Sequence, residues 1–409
     1  MKVGIEAINI YAGRAVLDVR TLAAARGLDP GRFENLLMKQ KSVSLNFEDP
    51  VSFAVNAARP VVERLSEEQR ARIELLIVCT ESGIDFGKAM SSYVHHHLGL
   101  NRRCRTFEVK HACYAGTAGL QTAAAFVLSG SAPGATALVI TTDVARPIPH
   151  TYAEPSQGAA AVAMLVSASP SVLALDVGAN GYYGYEVMDS CRPAPDVETG
   201  DADLSLLTYL DCLENSYRAY CERVGGVDFG EHFAYFAFHT PFGAMAKGAH
   251  RTLMRKLRRE PPAAVEEDFR KRLGPSLAYC QQVGNVYSGS LFVALAGVIE
   301  HGDYSSPRRI GLFSYGSGCC SEFYSGVADA GSRRAVAGMG TGAHLSERYE
   351  LGMDEYERLI ELNRRLMFGG ERVEVDRRAF EDVYRSHYAG RGLLVLERIE
   401  GYHRIYNRA

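Results

Sequence analysis

A lone cysteine, Cys113, stands between a short β-type run, Arg105 to Val109, and a block of small residues, Ala115, Gly116, Thr117, Ala118 and Gly119. The alanine-rich run that follows reads as helix through Leu128. A strand–turn–helix of this kind places a thiol at a helix N-terminus, where the dipole favours thiolate, the nucleophilic form. The neighbouring glycines let a bulky acyl group approach the backbone. The chemistry this predicts is acyl transfer through a cysteine thioester. A buried, unreactive cysteine in a small-residue packing helix is the competing reading.

The elements that must position this thiol come next. Apolar β-rich runs recur at Leu75–Cys79, Ala137–Thr142, Ala159–Val166, Phe233–Phe238 and Ile310–Ser314, with helical runs between them. That alternation predicts an α/β architecture. The N-terminal residues read as a strand entering the fold directly. Arg251 to Arg272 reads as a solvated charged helix, and Gly392 to Ile399 as a last apolar strand before a basic tail.

An internal repeat carries more information. Cys113-Tyr114-Ala115-Gly116-Thr117 is echoed by Val286-Tyr287-Ser288-Gly289-Ser290, and each leads into a small-residue apolar helix ending near Gly130 or Gly302. Upstream of each lies an apolar strand ending in a polar pair, Thr80-Glu81 in one copy and His239-Thr240 in the other. Two similar halves packed about a pseudo-two-fold axis bring both strand ends to one cleft, where open α/β sheets bind ligands. Cys113, Glu81 and His239 then converge. A carboxylate can remove a proton α to a thioester, and an imidazole can donate a proton to a ketone oxygen becoming an alkoxide, so the trio permits carbon–carbon bond formation. For a lone Glu or His, a cap or a satisfied core histidine is the ordinary reading. Their matched places in two repeats favour the catalytic one.

Composition sets the outer bounds. The chain has 409 residues, 47% hydrophobic and 23% charged, which is ordinary for a globular enzyme. A formal net charge of −3 argues against nucleic-acid binding. No apolar run reaches membrane-spanning length and no signal peptide opens the chain, so no membrane partner is expected. Nine cysteines in no disulfide-like framework fit a reducing cytoplasm. His95, His96 and His97 are consecutive, so on a helix they diverge by about a hundred degrees each and cannot all face one ion. No metal is expected.

Six stretches together resemble the 3-hydroxy-3-methylglutaryl-CoA synthase family of the thiolase superfamily. They are ESGIDFGK at 81–88, FEVKHACYAGTAGLQ at 107–121, EPSQGAAAVAMLV at 154–166, FHTPF at 238–242, QVGNVYSGSLF at 282–292 and GLFSYGSG at 311–318. They occur in family order over nearly the whole chain. The resemblance implies a five-layered αβαβα thiolase fold with two pseudo-symmetric halves. It also implies a single domain over 1–409, its N-terminal half (1–170) carrying Glu81 and Cys113 and its C-terminal half (171–409) carrying His239, Asn285 and Ser317. It implies Glu81 as general base, Cys113 as acylated nucleophile and His239 as acid. Asn285 and Tyr287 would contact the acceptor. The backbone N–H groups of Cys113 and Ser317 would form an oxyanion hole, as fixed donors at developing charge should.

Within the family, FENLLMKQKSVSL at 33–45 and the stretch 72–105 are similar to the synthases of bacterial polyketide β-branching, which take acyl-carrier-protein thioesters. Three departures from the mevalonate-pathway pattern point the same way. Ala244 stands where a lysine would meet CoA phosphates. Pro147 replaces a tyrosine, with Tyr152 as a substitute in substrate binding. Cys191 stands where a tryptophan precedes Arg192 and Pro193. The resemblance implies donor and acceptor carrier proteins as partners, a homodimer, and no cofactor beyond phosphopantetheine carried by the partner. The alternatives are a mevalonate-pathway enzyme on free CoA esters, a ketoacyl synthase III-like condensing enzyme, and a catalytically dead carrier-protein scaffold. For docking of an acidic carrier protein, the basic residues Lys247, Arg251 and Arg255 are the first candidates, and Lys39 and Lys41 the next.

Overall fold

The computed structural model describes residues 2–151, 153–194, 197–366 and 368–409. Nine strands form one sheet in the order Tyr235–Phe238, Arg308–Gly316, Cys320–Ala328, Leu173–Gly184, Gly4–Tyr11, Ala159–Ser167, Thr136–Val144, Ile73–Cys79 and Arg105–Val109. The order contains its own repeat. Ile73–Cys79 runs parallel to Thr136–Val144, which is antiparallel to Ala159–Ser167, which is antiparallel to Gly4–Tyr11. Tyr235–Phe238, Arg308–Gly316, Cys320–Ala328 and Leu173–Gly184 follow the same sequence of directions. The two sets meet edge to edge through a short seam, Gly4 and Ile5 paired with Ala174 and Leu173 and the Val3 carbonyl accepting from Leu175 N–H. Arg105–Val109, parallel to Ile73–Cys79, has no counterpart in the second set among the described residues.

The sheet halves sandwich the two small-residue helices of the repeat, Ala115–Ser129 and Ser290–His301. Strand side chains alternate between faces. Leu75, Ile77 and Cys79 join Ala115, Leu120, Phe292, Leu295 and Leu312 in the central core. Leu76 and Val78 point the other way, into a cluster with Phe53, Val55 and Val94 from the helices Pro50–Glu63 and Met90–Leu98. On the far face of the second half, Phe236 and Phe313 pack with Tyr209 and Leu253 from the helices Ala202–Val224 and Gly243–Leu257. The layers are therefore helix, sheet, helix, sheet, helix, the thiolase-type arrangement. The centre is tight because its helices are glycine- and alanine-rich. A Cβ on Gly116 would lie 2.5 Å from the Ser288 carbonyl oxygen and 2.6 Å from the Phe292 ring.

Three sequence expectations change. The stretch 251–272 is not a solvated helix throughout. It breaks after Leu257, and Arg272 is buried, donating to Asp268 (3.0 Å) and the Phe233 carbonyl (2.9 Å) and lying over the Phe236 ring. The basic tail is a strand, His403–Arg408, whose Arg404 bonds to the helix-capping Asp49 at 3.0 Å. Lys41 is fully buried, donating to the Glu154 carbonyl (2.6 Å) and Tyr356 (3.0 Å), so it offers nothing to a docking partner. The histidine run lies on the helix Met90–Leu98, where His95 bonds to the Asn101 carbonyl and His97 packs against Tyr406.

Candidate active site

A cavity of about 790 Å³ opens where the two strand sets end. Glu81, Cys113, His239, Asn285, Tyr287 and Ser317 all line it. The repeat explains the meeting. Glu81 follows the strand Ile73–Cys79 by two residues, and His239 directly follows Tyr235–Phe238. Cys113 sits two residues before the helix Ala115–Ser129, after Ala112 at φ +42. The turn is held by Tyr114 and Ala115 N–H groups donating to the His111 and Ala112 carbonyls. Gly316 ends the strand Arg308–Gly316 against this turn. A Cβ there would lie 2.6 Å from the Tyr114 nitrogen, so only glycine brings the following Ser317 to the nucleophile loop. Tyr152 lies outside the described residues.

Glu81, His239 and Cys113 are each displaced toward the neutral form. Burial pushes Glu81 up to about 8. Arg192 opposes this, while Asp143 and Glu198 add to it. Burial holds His239 down at about 3. The imidazole is 2% exposed and its Nδ1 has no hydrogen-bond partner among the described residues, while its backbone is fixed by Phe313 (2.8 Å) and Tyr209 (2.8 Å). The Cys113 thiol is raised well above its ordinary value, by burial first and then by the charge of Glu81. This corrects the expectation of a resting thiolate. The carboxylates and burial outweigh the helix terminus, so the thiol must lose its proton as it reacts.

Asparagine 285 is clamped rather than loose. Its N–H donates to the Ser156 carbonyl (2.6 Å), its carbonyl accepts from Gly158 (2.9 Å), and its Oδ1 accepts from Tyr287 N–H and the Ser290 hydroxyl, both at 3.0 Å. That leaves the Nδ2 donor as the end available to a bound group. Tyr287, at φ +46, receives hydrogen bonds on its hydroxyl from Arg192 (3.1 Å) and Gln157 (3.4 Å).

Sequence reasoning missed the residue that ties the halves together. Asp143 is a buried carboxylate one residue from the end of the strand Thr136–Val144, and a charge in so apolar a run was the available signal. Its Oδ1 accepts from the Thr80 hydroxyl, the Glu81 and Ser82 N–H groups and the Ser82 hydroxyl, at 2.9–3.1 Å. Its Oδ2 accepts from the Ser288 N–H (3.1 Å) and, more closely, the Ser288 hydroxyl. Burial raises the pKa of this carboxyl, and the donors from Ser288, Glu81, Ser82 and Thr80 oppose that by favouring the ionised form. One side chain thus pins the Glu81 turn of the first half to the Tyr287–Ser290 turn of the second. Arg192, Glu198 and Gln157 were also given no role. Asp189 does similar work beside Ser317, accepting from the Gly318 N–H (2.9 Å) and the Tyr315 hydroxyl.

The family models for the N-terminal and C-terminal parts of hydroxymethylglutaryl-coenzyme A synthase match residues 1–171 and 253–373. The chain belongs to the hydroxymethylglutaryl-CoA synthase family. It is 52% identical over 98% of its length, and 98% of the relative's, to the polyketide biosynthesis 3-hydroxy-3-methylglutaryl-ACP synthase PksG of Bacillus subtilis. It is 36% identical to the hydroxymethylglutaryl-CoA synthase of Enterococcus faecalis, over 88% of this chain and 92% of that one. Among solved structures, the HMG synthase of the curacin biosynthetic pathway in complex with holo donor-ACP superposes with a TM-score of 0.98 at 56% identity, covering 100% of both chains. The family synthases are condensing enzymes, and this chain presents the same fold around the cavity just described. Among the described residues no helix is long and apolar enough to cross a membrane.

Proposed function

We propose that this enzyme is a hydroxymethylglutaryl synthase of polyketide β-branching, working on carrier-protein thioesters. The observation that carries the mechanism is the shared cavity: a nucleophile, a carboxylic acid tuned to about 8 and a neutral imidazole face one space. The likeness to PksG and to the curacin synthase bound to donor-ACP supports the choice of substrate.

In the first half-reaction the Cys113 sulfur attacks the acetyl thioester of the donor. The thiol proton passes to His239, whose resting imidazole is neutral and can accept it, and then to the departing carrier thiol. In the second, ionised Glu81 takes a proton from the acetyl methyl. The enolate oxygen rests on the N–H groups of Cys113 and Ser317. The enolate carbon then adds to the β-ketone of the acceptor, which Asn285 Nδ2 and Tyr287 help to place. The proton Glu81 has taken from the methyl reaches the alkoxide by way of His239, which accepts a proton on one ring nitrogen as it gives up the other, so carboxylate and imidazole both end as they began. Water finally cleaves the Cys113 thioester. The net product is the acceptor plus the elements of acetic acid, a 3-hydroxy-3-carboxymethyl branch. The reading makes the enzyme an acyltransferase that converts acyl to alkyl on transfer, with no cofactor beyond the partner's phosphopantetheine.

The reading extends to partners and setting. Arg251 and Arg255 are exposed on the helix Gly243–Leu257 and remain candidates for an acidic carrier-protein surface, while Lys247 is engaged by Glu266 at 2.8 Å. Lys39 is exposed and stays on that list. A homodimer would have two open sheet edges to draw on, Arg105–Val109 and Tyr235–Phe238, each paired on one side only among the described residues. A cytoplasmic location is supported by nine free thiols.

The test is direct. Enzyme, acetylated donor carrier protein and a β-ketoacyl carrier protein are combined, and the acceptor is weighed. A gain of the elements of acetic acid on the acceptor is expected. Turnover of free acetyl-CoA and acetoacetyl-CoA in preference to the carrier-bound pair would give the mevalonate-pathway reading instead.

A further inference from the structure

Between Glu81 and the second strand of the hairpin Ser190–Ala194/Val197–Gly200 lies a cation with two claimants. Arg192 Nη2 is 2.9 Å from Glu198 Oε2 and 3.6 Å from Glu81 Oε1, and Nη1 is 3.4 Å from the Glu81 carbonyl oxygen. The same Nη2 donates to the Tyr287 hydroxyl at 3.1 Å, with the guanidinium 5.2 Å from that ring's centre. Glu198 is held in place from its other side by Gln157 Nε2 at 3.0 Å. Arg192, Glu198 and Glu81 all line the catalytic cavity, with side chains 18–26% exposed, so little water screens them.

The other charged or titratable groups facing Glu81 are Asp143, whose Oδ1 takes the Glu81 N–H, the Cys113 thiol and the Tyr287 phenol. Arg32, Lys110, Asp203 and His239 line the same cavity, and Asp85, Lys88, Glu108 and Arg146 line the adjoining one that Glu81 also borders. Arg192 places a positive charge beside the Glu81 carboxylate, at 3.6 Å. Its closer bond is to Glu198, so the charge that reaches Glu81 is what Glu198 leaves.

We propose that Arg192 and Glu198 form an opposed pair that positions Glu81 and sets the pH at which it becomes a base, Arg192 favouring its ionised form and Glu198 restraining it. Both are positioning residues, acting on substrate through Glu81. The inference rests on the reading of Glu81 as the base that forms the enolate. An opposite charge within about 4–6 Å lowers a carboxylate's midpoint by roughly one to three pH units, and a like charge raises it. The two residues should therefore pull in opposite directions.

The experiment isolates the step. Enzyme acetylated on Cys113 is placed in deuterium oxide without acceptor, and deuterium entering the acetyl methyl is followed by mass spectrometry from pH 6 to 10. Exchange is expressed per acetyl-enzyme, so any difference in acetyl uptake divides out. Arg192→Gln should move the midpoint up by about one pH unit or more, cutting exchange at pH 7 about tenfold. Arg192→Lys should restore part of that shift. Glu198→Gln should move the midpoint down and raise exchange at pH 7. If Arg192→Gln does not fold, the Glu198→Gln shift carries the test alone. Midpoints that stay put, or that move the same way in both variants, overturn the inference. Exchange that survives in Glu81→Gln overturns the reading of the base instead.

Discussion

Glu81 and His239 occupy equivalent places, each just beyond the strand that pairs in parallel with the middle strand of its half, Thr136–Val144 or Arg308–Gly316, and both are driven by burial to their neutral forms. The surroundings differ. Glu81 sits among charges, with Arg192 and Glu198 beside it and Asp143 beneath its backbone. His239 sits among rings and backbone, with Tyr209 near and its Nδ1 unpartnered. Desolvation therefore gives a carboxylic acid near 8 at one strand end and an imidazole near 3 at the other. The first is a strong base once ionised. The second stays uncharged through the working range and can relay a proton, taking one on a ring nitrogen as it gives up the other. One architectural position, used twice, yields two chemical roles because burial neutralises an acid at one end and a base at the other.

That comparison can be broken most completely at the group both ends serve. Cys113→Ala should abolish covalent acetyl uptake from the donor, while Cys320→Ala should retain it. Intact-protein mass spectrometry reads the difference, and acetyl persisting in Cys113→Ala would mean another nucleophile.

Next in size is the asymmetry between half-reactions. Glu81→Gln should still accept acetyl yet slow condensation by roughly a hundredfold or more, the usual scale for a positioned general base. His239→Gln should impair acetyl uptake as well, because the imidazole serves both steps. Rapid-quench measurement of acetyl-enzyme and of condensed product separates them, and equal behaviour of the two variants would erase the distinction.

The pH dependence sharpens the same contrast. Glu81 must be ionised to act, so single-turnover condensation should rise with pH, about tenfold per unit, until it levels near 8. No inflection from His239 should appear between pH 5.5 and 7.5, since its titration lies near 3. A bell-shaped profile falling above pH 6.5 would show that the imidazolium is required.

The smallest effect concerns the surface beyond the His239 strand. Charge reversal at Arg251 and Arg255 should weaken acetyl transfer from carrier protein by severalfold and leave acetyl-pantetheine nearly untouched. The loss should deepen as salt is lowered, because the steering it removes is strongest there. Equal loss on both donors would indicate damage to the site.

Much of this was legible in the chain. The repeat around Cys113 and Tyr287 predicted two half-sheets with paired inner helices, because apolar runs and glycine placement are local properties. The same matching placed Glu81 and His239 at strand ends, and the family motifs named Asn285 and Ser317. The charged stretch 251–272 misled, because arginine at position 272 looks solvated in sequence and is buried only by Asp268 and the aromatic rings packed around it. Lys41 misled for the same reason.

The sequence by itself determined which residues could do the chemistry and that their strands would end together. Only the tertiary structure decided their charge. Cys113 is a thiol and not a thiolate, Glu81 holds its proton to about 8 and His239 is neutral. Ionisation depends on water excluded by five packed layers and on Arg192, Glu198 and Asp143, which arrive from segments 62 or more positions away from Glu81. Desolvation and long-range charge have no local trace in a chain.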